Sequence, residues 1–271
     1  MYKIFKYSLI VVLATVTLSS CGKYNKVLNK GTGLERYNMA NSLYKEGDYD
    51  KAIRLYELVM PQYASKPQAE VITFRLADSN YNIKDYLTAV YYYEKFIRSY
   101  PKSTEIESGQ YRIAESYFQL SPKYSVTQTD TQKALEAFQN FIDNNPDSKK
   151  IAEANKRVDE LNLKLEKKAF EIAKQYFKIG NYKSAIVAFD NVILDYLGTS
   201  YKEEAMFYKF KSAYELGINS VVHKKEDRIK DALKAYTRYK KAFPASEYLK
   251  EADGLYEKLI KEKQPKQQQN S

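Results

Sequence analysis

Apolar residues recur three and four apart along most of the chain, and the rhythm resets at short polar breaks. From Asp85 to Ser103, DYLTAVYYYEKFIRSYPKS, the residues Ala89, Tyr93, Phe96, Ile97 and Tyr100 share one stripe at helical spacing. The small Ala89 admits a neighbouring helix closely. Pro101 ends the helix, because proline offers no N–H and disfavours helical geometry at the residue before it. The phrase returns four more times. Ala40 and Ala52, Ala77 and Ala89, and Ala173 and Ala185 are each twelve residues apart, around a short Gly- or Asx-containing turn and a tyrosine. An aromatic follows four residues after the second alanine in each case: Tyr56, Tyr93 and Phe189. Two further pairs have longer turns. Ala114 and Ala134 enclose eight extra residues in Ser121–Thr131, and Ala213 and Ala232 enclose a polar stretch read as a loop carrying His223. Each pair predicts two antiparallel helices that touch at their alanines.

This spacing matches the tetratricopeptide repeat without its variable tryptophan. It predicts an all-α protein, a right-handed α-solenoid of five tetratricopeptide-like helix pairs. Residues 34–147 would hold repeats 1–3. Residues 148–263 would hold a long linking helix, repeats 4–5 and a C-terminal capping helix over Tyr248–Lys261, which covers the last apolar face. Ser148–Ile179 contains no Gly or Pro, and Ile151, Ala154, Val158, Leu161, Leu165, Ala169 and Ile172 form its stripe. Residues 264–271, QPKQQQNS, read as a disordered tail.

The N-terminus follows a different pattern. Lys3 and Lys6 precede an apolar run from Leu9 to Leu18 and then small residues, the layout of a secretory signal peptide over residues 1–20. Leu18-Ser19-Ser20-Cys21-Gly22 resembles the bacterial lipobox, which implies lipidation of Cys21. Residues 21–33 are polar and aperiodic and read as a flexible tether. Gly31-Thr32-Gly33 lacks the preceding strand and third glycine of a phosphate loop.

Composition narrows the chemistry. Tyrosine is abundant, with 27 Tyr and 12 Phe but no Trp. Cys21 is the single cysteine and His223 the single histidine, so cysteine metal clusters and Ser/His or Cys/His catalysis have almost nothing to work with. No enzyme activity, metal or cofactor is assigned. The formal charge is +10, from 44 basic and 34 acidic residues. Export and the scatter of the basic residues argue against nucleic acid.

In a tetratricopeptide stack the first helix of each repeat lines the binding face. Counting from Ala40, Ala77 and Ala114, that face would carry Tyr37, Asn41 and Tyr44; Phe74, Asp78 and Tyr81; and Tyr111, Glu115 and Phe118. Such a surface suits an extended peptide. On the long helix Lys156, Arg157 and Lys164 are expected to share an exposed basic side that docks a partner.

Nearly the whole mature chain resembles the BamD family, lipoprotein subunits of the outer-membrane β-barrel assembly machinery. The likeness lies in YYYEKFIRSYPKS, the extended SPKYSVTQTDTQKALEAFQNFIDNNPDS and the long helix after it. It implies that the N-terminal repeats receive unfolded outer-membrane β-barrel proteins and that the C-terminal repeats dock on a POTRA domain of a BamA-like barrel subunit. Gly22 and the lack of an acidic run after Cys21 favour the periplasmic face of the outer membrane of a Gram-negative bacterium, with the membrane reached through the lipid anchor only. A pilotin or cell-envelope coordinator remains an alternative, and a glycan-binding SusD-type lipoprotein a more distant one.

Overall fold

The structure, a computed structural model, describes residues 22–263. The expected signal peptide 1–20, Cys21 and the tail 264–271 lie outside the described residues. Twelve helices and no strand occur among those described. They are α1 (22–30), α2 (Gly33–Glu46), α3 (Tyr49–Tyr63), α4 (Gln68–Asn82), α5 (Tyr86–Ser99), α6 (Ile106–Leu120), α7 (Thr129–Asn144), α8 (Ile151–Lys178), α9 (Tyr182–Asp195), α10 (Lys202–Ile218), α11 (Val222–Ala242) and α12 (Leu249–Lys263). The helices from α2 to α11 form the five expected pairs, and α12 packs on α10 and α11 as the cap. The fold class is an all-α solenoid of tetratricopeptide-like pairs.

The alanine rule explains the pairing. All ten crossing alanines are buried, as are the aromatics Tyr56, Tyr93, Phe138, Phe189 and Tyr236 that follow them. A methyl at the crossing point lets the two helices approach, and the aromatic one turn later fills the space beside it. The short turns need a left-handed residue. Gly47 and Gly180 supply it with φ of 81° and 77°, and Lys84 takes the same position at 68° in the second repeat. Asp85 and Asn181 then cap the following helix through the amides of Thr88 and Ser184.

The chain divides into two compact units. Among the described residues, the first holds residues 22–122 and Gln128–Val158, and the second holds Lys123–Thr127 and residues 159–263. The division falls inside α8, after Val158, and not ahead of the long helix as the sequence suggested. The first unit's core includes Tyr24, Leu55, Tyr56, Val59, Ile72 and Leu76. The second unit has one cluster around Phe170, Ala173 and Phe189 and another around Phe207, Phe210, Tyr236 and Leu259.

Three expectations change. Residues 22–30, expected within the tether, are helical. Tyr24 is 7% exposed and joins the first core, with Leu28 packed against it. Thr32 and Glu35 form a reciprocal capping box that ends the connection and starts α2. A Cβ at Gly31 would sit 2.5 Å from the Val27 carbonyl oxygen, so this glycine permits the close turn. His223 stands in the first turn of α11, because HKKEDR consists of residues that tolerate or favour a helix. On α8 the buried stripe runs through Ala154, Leu161, Phe170 and Ala173, whereas Ile172 is 46% exposed.

The Tyr24 hydroxyl is buried without a hydrogen-bond partner among the described residues. Tyr24→Phe should therefore keep or slightly raise stability in chemical denaturation. Tyr24→Ala should cost about 3–5 kcal/mol by the usual aromatic-truncation scale. It should also remove amide-exchange protection from α1 while leaving α9 to α12 unchanged.

Candidate functional site

The first-helix face of the first unit is organised as three polar rungs. Asn41, Asp78 and Glu115 sit 37 residues apart, each one residue after a crossing alanine. Asn41 Oδ1 accepts the Tyr56 hydroxyl at 2.8 Å and Arg75 Nη1 at 2.6 Å. Asp78 accepts the Tyr44 hydroxyl at 2.7 Å and the Tyr93 hydroxyl at 3.0 Å, and Arg112 Nε lies 3.7 Å away. Glu115 accepts Gln119 Nε2 at 3.1 Å and the Tyr111 hydroxyl at 3.5 Å, and pairs with Arg157 Nη2 at 3.3 Å.

A rule of offsets generates these rungs. In the first two, the tyrosine comes from the second helix of the same pair, 15 residues on. The arginine comes from the first helix of the next pair, 34 residues on. In the third the arginine is 42 residues on, which is 34 plus the eight extra residues of the Ser121–Thr131 turn. Each guanidinium also lies over an aromatic ring of the preceding repeat: Arg75 over Tyr44 at 5.1 Å, Arg112 over Tyr81 at 4.3 Å and Arg157 over Phe118 at 4.4 Å.

Burial makes these contacts matter. The Glu115 side chain is only 6% exposed, and a carboxylate so placed needs a paired cation. The tyrosine hydroxyls are held in their protonated form. Burial raises Tyr44 and Tyr93 well above the ordinary tyrosine range, with Asp78 adding to both. Burial pushes Tyr56 up to about 12, against the opposing pull of Arg75. Tyr111 is raised by burial and by Glu115.

All nine residues named for the peptide face belong to the first helices of the first unit, in the expected order. Their surroundings differ. Phe74 packs edge-on to Tyr93 and Phe96, and buried Tyr111 to Phe138 and Phe141. Tyr37 stacks on Tyr63 at 5.3 Å. Tyr37, Tyr44, Tyr81 and Phe118 remain half-buried. Arg75 and Arg112, which answer the polar residues, were missed from sequence; their 34-residue offset was the available signal.

The second unit repeats the period with opposite charge. Phe170-Lys174-Phe177 and Phe207-Lys211-Tyr214 are again 37 residues apart. Lys174 donates to Glu204 at 2.8 Å and lies 5.1 Å from the Tyr208 ring centroid. Lys211 donates to Glu251 at 2.6 Å and lies 5.7 Å from the Phe177 and Phe207 centroids. Burial lowers the Lys174 pKa, yet Glu204 outweighs it and the group ends raised.

The basic docking side of α8 requires correction. Lys156 is exposed, but Arg157 faces Glu115 and Phe118, and its side chain is 26% exposed. Lys164 is half-buried, and burial lowers its pKa against the pull of Glu160. Lys150 lies over Tyr111 at 4.1 Å, Lys167 over Tyr124 at 4.6 Å, and Lys168 donates to the Val126 carbonyl at 2.7 Å. Helical periodicity identified a basic face without showing that much of it meets acids, rings and the inserted turn. The exposed surface of the second unit is more apolar than expected, with Ile172 and Tyr176 on α8, Ile179 in the turn after it, and Val187 and Leu194 on α9. Among the described residues no group of His, Cys, Asp and Glu could hold a metal ion.

Stacked helix pairs with a charged and aromatic first-helix face define a binding scaffold of tetratricopeptide type. A family model described as YfiO, outer membrane lipoprotein, matches residues 30–229, and the chain belongs to that family, which is the BamD family. No curated protein matches it. Among solved structures it is similar to the TPR2AB domain of yeast Sti1 in its pHSP90 complex, at 15% identity and a TM-score of 0.39, covering 84% of this chain and 98% of that one. It is also similar to a TPR repeats protein from Bacteroides fragilis, at 14% identity and a TM-score of 0.42, covering 85% and 99%.

The raised tyrosines set a pH dependence. A folded pKa above the ordinary 10.0 means that the folded state keeps its protons longer than the unfolded chain. The tyrosine contribution to stability is therefore fully present below pH 10 and declines as pH rises beyond it. In an alkaline titration, tyrosinate absorbance of the buried set should appear together with loss of helical circular dichroism. Full tyrosine ionisation with helicity intact would contradict the rung geometry.

Proposed function

We propose that the protein is a periplasm-facing outer-membrane lipoprotein, anchored by lipid on Cys21, that acts as a binding scaffold in β-barrel assembly. The first unit receives unfolded barrel proteins, and the second docks on the POTRA region of a BamA-like barrel subunit. The family match across residues 30–229 carries this reading, since it extends from the first helix pair into α11. Proteins of this fold are typically scaffolds and not catalysts, and the side chains that cluster here are tyrosines and ion pairs.

The rungs refine how a peptide would be held. Asn41, Asp78 and Glu115 are engaged within the unit, so they position rings more than they contact a guest. The half-buried Tyr37, Tyr44, Tyr81 and Phe118 offer ring edges to an extended chain. For docking, Arg157 and Lys156 belong to the first unit, and the second unit offers half-buried Lys164 and the exposed apolar Ile172, Tyr176 and Ile179. No helix among the described residues is long and apolar enough to cross a membrane.

Crosslinking of the native lipoprotein, followed by purification and mass spectrometry, should recover a POTRA-containing barrel protein and unfolded barrel clients. Ile179→Asp combined with Ile172→Asp should reduce recovery of the barrel subunit at least about tenfold if the pair contributes about 1.4 kcal/mol or more. Cys21→Ala should lose the acylated peptide and leave the outer-membrane fraction. Recovery of pilus or peptidoglycan proteins alone would favour the pilotin or coordinator reading.

A further inference from the structure

The short helix α1 is amphipathic in a specific way. Tyr24 is buried in the first unit's core and Leu28 packs on the same cluster, while Val27 lines a cleft against α2. The Arg36 Nε donates to the Val27 carbonyl at 3.3 Å, and the Gly31 amide donates to it at 2.9 Å. Lys51 lies over the Tyr24 ring at 5.6 Å. Lys23, Lys26 and Lys30, spaced i, i+3 and i+7, line the flank of α1 next to Val27, and all three are exposed.

No acid occurs in α1. Residues 22–36 hold Lys23, Lys26, Lys30 and Arg36 against Glu35, a net charge of +3 (four minus one). The acids near it on neighbouring elements are partly committed. Glu35 accepts the Thr32 amide at 2.8 Å and the Thr32 hydroxyl at 2.9 Å, Glu46 accepts the Ser42 hydroxyl at 2.7 Å, and Asp48 pairs with Lys51. Glu35 and Glu46 share a cleft with Lys23, on the side of α1 that meets α2.

We propose that the lysine face of α1 is a second membrane contact, seating the first repeat on anionic phospholipid headgroups. The proposal rests on the lipid-anchor reading of Cys21, because the cysteine precedes α1 directly and α1 is pinned to the body by Tyr24. A nine-residue helix spans about 14 Å, so every lysine stays close to the anchored residue. A flexible tether would let the body drift from the surface; a docked helix keeps the three ammonium groups within reach of its field at every moment. One acyl anchor and a basic patch together hold a protein at a surface more firmly than either alone.

The test reconstitutes the lipoprotein, purified from membranes, in vesicles with phosphatidylglycerol or in purely zwitterionic phosphatidylcholine vesicles. A water-soluble amine-acylating reagent and mass spectrometry then report each lysine. Labelling of Lys23, Lys26 and Lys30 should fall about fivefold or more in the anionic vesicles, the factor expected for surface attraction of order one lysine. The protection should fade as salt is raised. The exposed Lys258, Lys261 and Lys263 at the other end of the chain serve as controls and should label equally in both vesicles. Equal labelling of the α1 lysines in both vesicles, or equal protection of the controls, would overturn the proposal. The same spectra report whether Cys21 is acylated. A missing acyl group with protected α1 lysines would sink the anchor reading alone, and an acylated Cys21 with unprotected lysines would sink this proposal alone.

Discussion

The structure of the first unit depends on one constraint: a polar side chain placed beside the helix crossing must find a partner on the next repeat. Asp78 and Glu115 would be costly to bury alone. Arg112 and Arg157 resolve that cost and at the same time lie over Tyr81 and Phe118, so each guanidinium binds an acid and a ring together. An apolar contact tolerates sliding by a residue or two, but a bond to a single carboxylate does not. The rungs therefore fix the register in which consecutive pairs stack. Alanine packing alone sets only how close the helices come.

The inverted charge of the second unit extends the same logic. There the first helices contribute Lys174 and Lys211, and the acids Glu204 and Glu251 come from later helices. Both units thus present aromatic rings next to satisfied charges, a face that is sticky for extended chains yet contains few buried groups left without a partner. Arg157 closes the first unit's last rung, and Lys174 opens the second unit's first. In the second unit the exposed apolar Ile172 and Tyr176 on α8, with Ile179 just after it, form the surface left for a partner in the proposed function.

The helix pairs were legible because small residues at fixed spacing carry a geometric meaning that survives variable turn length. The crossing alanines stayed readable even around the eight-residue insertion. The tether was misread because Gly, Asn and Lys dominate residues 22–33, and the three apolar residues Tyr24, Val27 and Leu28 are too few to establish a period by themselves. The burial of Tyr24 depends on the first repeat being present to receive it. Arg157 was misplaced for a related reason. Helical periodicity places a residue on a face but does not say what stands opposite, and Glu115 lies 42 residues away. Phe170, and not Ile172, enters the core of the second unit, where it meets Phe189 and stacks on Tyr201 at 4.7 Å.

A double-mutant cycle between Glu115 and Arg157 tests the central claim most directly. Glu115→Gln, Arg157→Met and the combination would be compared by urea denaturation, with helicity checked in each. The rung account predicts that the double variant is more stable than the sum of the single losses implies, with a coupling of about 1–3 kcal/mol. A coupling near zero, with both single variants fully folded, would show that the apolar crossings set the register without the rungs and would contradict the account.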